Sequence, residues 1–129
     1  MGQLTTHVLD ISAGLPAGGL RIDLHAWLSE ASQAAPALQP AQAPTLITSV
    51  ATGTDGRVPK PLLAGADFRT GRYTLTFHLA SYFRGRGVVL PDPAFIEEAV
   101  IRIGIAHPDQ HYHVPLLIAP WSYSVYRGG

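Results

Sequence analysis

His111-Tyr112-His113-Val114-Pro115-Leu116-Leu117-Ile118-Ala119-Pro120-Trp121-Ser122-Tyr123-Ser124-Val125-Tyr126-Arg127-Gly128-Gly129 is the stretch whose reading decides the fold. The last residues of a chain usually fray and turn polar, yet here an apolar pattern runs almost to the end. His111, His113, Pro115 and Leu117 alternate with Tyr112, Val114, Leu116 and Ile118, the period of a strand. Pro120-Trp121 reads as a turn, and Ser122 to Tyr126 alternates again with Tyr123 and Val125 on one face. The chain should therefore end in a strand, with Arg127 beside ordered structure.

The same period recurs upstream. Leu4 to Asp10 places Leu4, Thr6 and Val8 on one side and Thr5, His7 and Leu9 on the other. From Leu20 to Leu28, Leu20, Ile22, Leu24, Ala26 and Leu28 face inward, against Arg21, Asp23, His25 and Trp27. Thr45 to Thr52 is β-branched and strand-like. Arg72 to Leu79 and Glu98 to Ala106 alternate too, the latter with Ile101, Ile103 and Ile105 inward. Pro59 to Gly65 reads as irregular or a short edge strand, because proline donates nothing to a central ladder. Ala80 to Gly87 has room for one short helix, ended by Gly85 and Gly87. Ser29 to Pro44, rich in Ala, Gln and Pro, reads as an extended loop. Seven to eight short strands with turns between them and one short helix predict an all-β antiparallel sandwich, in a single domain of 129 residues.

Composition narrows the function. With 47% hydrophobic and 14% charged residues, the chain is globular, and its low charge points to surface buried in an oligomer. A formal net charge of zero with no basic run argues against nucleic acid and against anionic membranes. Without cysteine there is no disulfide or thiol chemistry. No signal peptide and no bilayer-spanning run is visible, so cytoplasmic residence is the expectation. Met1-Gly2 with Thr6 formally fits an acylation pattern but reads as an ordinary strand start.

Several residues invite chemistry. His7 and His113 fall opposite the core positions of their strands, so both should point away from the interior. His111-x-His113 puts two imidazoles on one strand face, a spacing that can bind zinc if a third ligand such as His7 joins them. A serine-hydrolase elbow Gly-x-Ser-x-Gly is absent. Gly14 to Gly19 lacks the Lys-Ser/Thr of a phosphate cradle and reads as a turn. Thr54-Asp55-Gly56-Arg57 contains the Asp-Gly of a tight turn, which holds Arg57 just beyond it.

Taken in order, Leu4-Thr5-Thr6-His7-Val8-Leu9-Asp10 with Gly14-Leu15-Pro16-Ala17, Thr54-Asp55-Gly56-Arg57, His111-Tyr112-His113-Val114-Pro115-Leu116-Leu117, and Tyr123-Ser124 with Tyr126-Arg127-Gly128 resemble 5-hydroxyisourate hydrolase, the enzyme branch of the transthyretin-like proteins. The resemblance implies a transthyretin-like (prealbumin-like) sandwich whose short helix matches Ala80 to Arg86. It implies a homotetramer, a dimer of dimers, with sites where subunits meet, and no metal or organic cofactor. It implies hydrolysis of 5-hydroxyisourate to 2-oxo-4-hydroxy-4-carboxy-5-ureidoimidazoline, the step after urate oxidation. The family's site residues fall on His7, Arg57, His113 and the tail Tyr126, Arg127, Gly128 and Gly129. In that scheme His7 is the base and His113 its partner or proton donor, two roles open to exchange. Arg57 clamps substrate and oxyanion, and Tyr126 and Arg127 close the pocket. The family usually ends Tyr-Arg-Gly-Ser, whereas here Gly129 stands in the last place, keeping the carboxylate but losing a hydroxyl. The competing expectation is a non-catalytic transthyretin-like binder of a small ligand, which would not need the His7, Arg57, His113 set.

Overall fold

The structure, a computed structural model, describes residues 2–27 and 43–129. Nearly all of the Ser29 to Pro44 loop expectation, and Leu28, lie outside the described residues. The elements in chain order are β1 (Gln3–Asp10), β2 (Leu15–Pro16), β3 (Arg21–Trp27), β4 (Thr45–Ala51), β5 (Leu63–Ala64), β6 (Gly71–Phe77), α1 (Leu79–Gly85), β7 (Ala99–Ile105), β8 (Tyr112–Ala119) and β9 (Ser122–Val125). One sheet runs β2-β1-β8-β9 with β5 also on β1, and the other runs β4-β3-β6-β7. Among the described residues, seven strands of four residues or more, two two-residue strands, one α-helix and a 3-10 turn at Gly65–Asp67 form the expected two-sheet sandwich.

Burial follows the alternation. Leu4 and Val8 of β1, Ile22 and Leu24 of β3, Leu75 and Phe77 of β6, and Leu116 and Ile118 of β8 are fully buried between the sheets. Each such side chain contributes about 1.5–3 kcal/mol relative to exposure. The opposite faces of β1 and β8 carry Thr5, His7, His113 and Pro115, all only partly buried.

One pairing departs from the antiparallel expectation. β1 and β8 run parallel, with Thr5 opposite His113 and His7 opposite Pro115, while every other strand pair described is antiparallel. Alternation reports which face a residue takes, not which way its partner runs. The chain between these strands crosses to the other sheet and back, as a parallel pair requires. Pro115 is tolerated in β8 because β9 pairs only with Leu116 to Ala119, so its missing N–H removes no β8–β9 rung.

The helix is short but anchored. Leu79, Tyr82 and Phe83 lie on one helical face and are buried. The Tyr82 hydroxyl donates to Asp10 Oδ2 at 3.0 Å. Asp10 Oδ1 accepts from the N–H groups of Ser12 and Ala13 and from the Ser12 hydroxyl, so the buried carboxylate is fully occupied. After Gly85 the chain leaves the helix through Gly87 at φ 86°, a left-handed position that favours glycine.

Candidate active site

The parallel register of β1 and β8 sets the stage. Thr5 and His113 project from the same outer sheet face, and the Thr5 hydroxyl lies 2.7 Å from His113 Nδ1. The turn expected at Thr54 to Arg57 brings in the guanidinium. Gly56 adopts φ 77°, and a Cβ there would meet Val8 O, so only glycine lets the turn dock against β1. Its carbonyl accepts the Val8 N–H at 2.9 Å. Asp55 Oδ1 accepts the Arg57 N–H at 3.0 Å, and Arg57 forms an antiparallel bridge with His7.

His7 Nε2 lies 2.9 Å from the Asp55 carbonyl. A carbonyl only accepts, so Nε2 carries the hydrogen and the neutral ring keeps its lone pair on Nδ1. His7 thus also braces the loop that presents Arg57.

A cleft of about 480 Å³ lies at this junction, within the range of small-molecule sites. Thr5, Arg57, Lys60, His111, His113 and Gly129 line it, with Gln3 and prolines beside them. Burial pushes the His113 pKa below the ordinary value, and the charges of Arg57, His111 and His7 push it the same way. The imidazole is therefore held neutral, able to take a proton, close to a fixed guanidinium.

The tail divides its work. Gly128 N–H donates to His113 O at 2.8 Å and closes a bridge onto β8. A Cβ at 128 would stand 2.7 Å from His113 Cδ2, so the glycine lies against the ring itself. Gly129 reaches the cleft. Arg127 and Tyr126 are not among its lining residues. Arg127 turns back, with its guanidinium 4.0 Å from the Tyr112 ring centroid, and donates to Gln110 Oε1 and to His111 O. Tyr126 stays exposed. So His113, Arg57 and Gly129 share one cavity, with His7 behind Arg57 and Gly128 behind His113, while the side chains of Tyr126 and Arg127 stay outside.

Thr5 and Lys60 are among the lining residues that the sequence does not single out. Thr5 sat on the correct face, but its partnership with His113 depends on a register that alternation does not specify. Lys60 lay between two prolines in a stretch with no period. His111, whose spacing to His113 could serve a metal, lies 3.3 Å from Thr5 Oγ1. Among the described residues no three His, Cys, Asp or Glu side chains gather as metal ligands. Also among the described residues, no helix is long and apolar enough to cross a membrane.

Comparison with known proteins agrees with this picture. Residues 4–128 match the model of the HIUase/Transthyretin family. The chain is 52% identical to 5-hydroxyisourate hydrolase 2 of Rhizobium meliloti, over 98% of this chain and 96% of that one. It superposes on Klebsiella pneumoniae 5-hydroxyisourate hydrolase with a TM-score of 0.74 at 29% identity, covering all of both chains. It also superposes on (S)-allantoin synthase with a TM-score of 0.82 at 40% identity, covering 99% of this chain and 44% of that longer one. With the fold, the ordered motifs and the full-length matches in accord, the chain belongs to the HIUase/Transthyretin family.

Proposed function

We propose that this protein hydrolyses 5-hydroxyisourate to 2-oxo-4-hydroxy-4-carboxy-5-ureidoimidazoline, as one catalytic domain. The observation that carries the reading is the meeting of His113 and Arg57, 56 positions apart by number, in one cleft closed by Gly129. The full-length similarity to enzymes named for that reaction supports it.

The chemistry fits the groups. Water attacking a ring carbonyl must lose a proton, and His113, held neutral and facing the cleft, takes it. The geometry favours His113 over His7 for this role, because His7 Nε2 is committed to the Asp55 carbonyl. General-base help of this kind is worth roughly 10²–10⁴-fold. Negative charge then grows on the carbonyl oxygen, where the Arg57 guanidinium supplies planar donors; such an oxyanion donor is worth about 10²–10³ in rate. As the ring C–N bond breaks, the proton on His113 passes to the departing nitrogen. Lys60 adds a second cation to the same cleft.

The proposal extends to the assembly. The protein works as a cytoplasmic homotetramer, a dimer of dimers, with the outer face of β1 and β8 turned toward a neighbouring subunit. Partly buried histidines on an outer sheet face and the exposed Trp121, Tyr123, Val125 and Tyr126 support this arrangement. Light scattering tests it directly: a monomer at micromolar concentration would refute the tetramer.

For the reaction, purified protein is mixed with freshly made 5-hydroxyisourate and the absorbance decay is compared with the spontaneous rate. Decay well above background, lost in Arg57→Glu, is the expected result. A background rate, with Arg57→Glu indistinguishable from the unmodified protein, would refute it.

A further inference from the structure

Thr5 Oγ1 stands between two imidazoles, 2.7 Å from His113 Nδ1 and 3.3 Å from His111 Nε2. A hydroxyl has one proton to give. To keep both contacts it donates to one ring and accepts from the other. A third arrangement, with both rings donating, turns the hydroxyl proton away from both rings and out to the cleft. In the first two the rings are linked: whichever nitrogen state His111 shows to Thr5 dictates the complementary state of His113 Nδ1.

We propose that Thr5 and His111 act as a tautomer lock on His113. This inference rests on the functional reading above for its kinetic consequence, but not for its existence. When His111 presents a bare Nε2, the Thr5 hydroxyl donates to it and accepts from His113 Nδ1–H. The His113 lone pair is then on Nε2, the ring nitrogen left for a ligand in the cleft. When His111 gains a proton at Nε2 from solvent, it donates to Thr5. The Thr5 proton swings to His113 Nδ1, and the neutral His113 ring moves its own proton to Nε2 by exchange with water. His111 has gained one proton and His113 none, yet His113 has lost its base form. Thr5 and His111 are positioning residues here, acting through His113.

The surroundings suit a lock. His111 is exposed and free to equilibrate with solvent, whereas His113 is half-buried. The His111 backbone is pinned by the Arg127 donor to His111 O at 3.0 Å and by the stack of Arg127 on Tyr112. That gives the Arg127 guanidinium a task outside the cleft. The charged and titratable groups around His113 are Arg57 and His7 from the β1 side, His111 just ahead of β8, and Lys60, which lines the same cleft.

The test uses the full chain labelled with ¹⁵N-histidine, and needs no substrate for its first half. Imidazole nitrogen spectra should show His113 with its hydrogen on Nδ1 where His111 Nε2 is bare, moving to Nε2 as His111 Nε2 gains a hydrogen. Thr5→Val should leave a mixture that ignores His111, and Thr5→Ser should restore the coupling. For turnover, Thr5→Val should lower kcat about 10-fold with KM within about twofold, and Thr5→Ser should recover most of it. The acidic limb of the kcat/KM profile should be steeper in the unmodified protein than in His111→Phe. An unchanged His113 tautomer in Thr5→Val, or identical limb slopes with and without His111, would overturn the lock. If the spectra show the coupling but no variant or parent hydrolyses 5-hydroxyisourate, the lock stands and the substrate assignment fails.

Discussion

Gly128→Ala is the substitution whose outcome follows most directly from distances. The added Cβ would stand 2.7 Å from His113 Cδ2, 3.2 Å from Pro115 Cγ and 3.4 Å from His113 Cβ. Ordinary carbon contacts begin about 0.7 Å farther out than the first of these. The ring has little room to retreat, because Thr5 holds its far side at 2.7 Å and the Gly128 N–H holds its backbone at 2.8 Å. Either the imidazole shifts and stretches its bond to Thr5, or the tail lifts and loses the bridge. The first outcome displaces the nitrogen proposed as the base by several tenths of an ångström, and misplacements of catalytic groups approaching ~1 Å cost about 10²-fold. The second forfeits a backbone hydrogen bond worth about 0.5–1.5 kcal/mol net. We expect kcat for 5-hydroxyisourate to fall about 10- to 100-fold, KM to change little, and the melting temperature to drop by about 3–6 °C. Stopped-flow decay of fresh substrate, alongside calorimetry, measures all three. Full activity with an unchanged melt would refute the idea that the tail buttresses the ring.

Other perturbations address separate contacts. In Arg57→Gln the cation beside His113 is gone, so the imidazolium is penalised less and its pKa rises. The acidic limb of kcat/KM should move to higher pH, though not fully to the ordinary histidine value because burial, the larger cause, remains; a limb moving to lower pH contradicts this. Gly129→Ser meets nothing within 4 Å of its Cβ, so the rate should be similar or higher, and a sharp fall would refute this account of the tail. On the other sheet, burial alone would raise the Asp23 pKa, but hydrogen bonds from Ser49, His78 and Arg21 and the charge of His78 outweigh it and hold the carboxyl at about 2. Its folded pKa is depressed, so the stabilisation is present above pH 4 and is lost as pH falls toward 2. Asp23→Asn should cost about 1–2 kcal/mol at pH 7 and almost nothing near pH 2, read from urea midpoints at both. Tyr82→Phe removes a donor to buried Asp10 and should cost about 1–3 kcal/mol without altering kcat at a temperature where the variant is fully folded; a wild-type melt would show that Asp10 finds another partner.

How much the chain discloses on inspection depends on whether a feature is local. The inward set Leu20, Ile22, Leu24 and Ala26 and the buried set Tyr112, Val114, Leu116 and Ile118 were readable because period two is written into consecutive residues. The same logic put His7 and His113 on outer faces, and Asp55-Gly56 marked a turn that the structure folds with φ 77° at Gly56. Direction and register are not local. Nothing in Thr5 or His113 alone says that their strands run parallel, so their hydrogen bond was invisible, and with it the place of His111. Arg127 was expected near ordered structure and is, but the choice of Tyr112 and the His111 carbonyl over the cleft depends on how β9 returns along β8.

The pairing of β1 with β8 also has a kinetic side. Thr5 and His113 are 108 positions apart, so their contact closes a loop of nearly the whole chain. Long-range parallel zippering is slow because loop closure must be met before any contact rewards it. Recovery of turnover during refolding should therefore lag behind burial of the Phe77 side of the core, making enzyme activity a clock for the last stage of chain assembly.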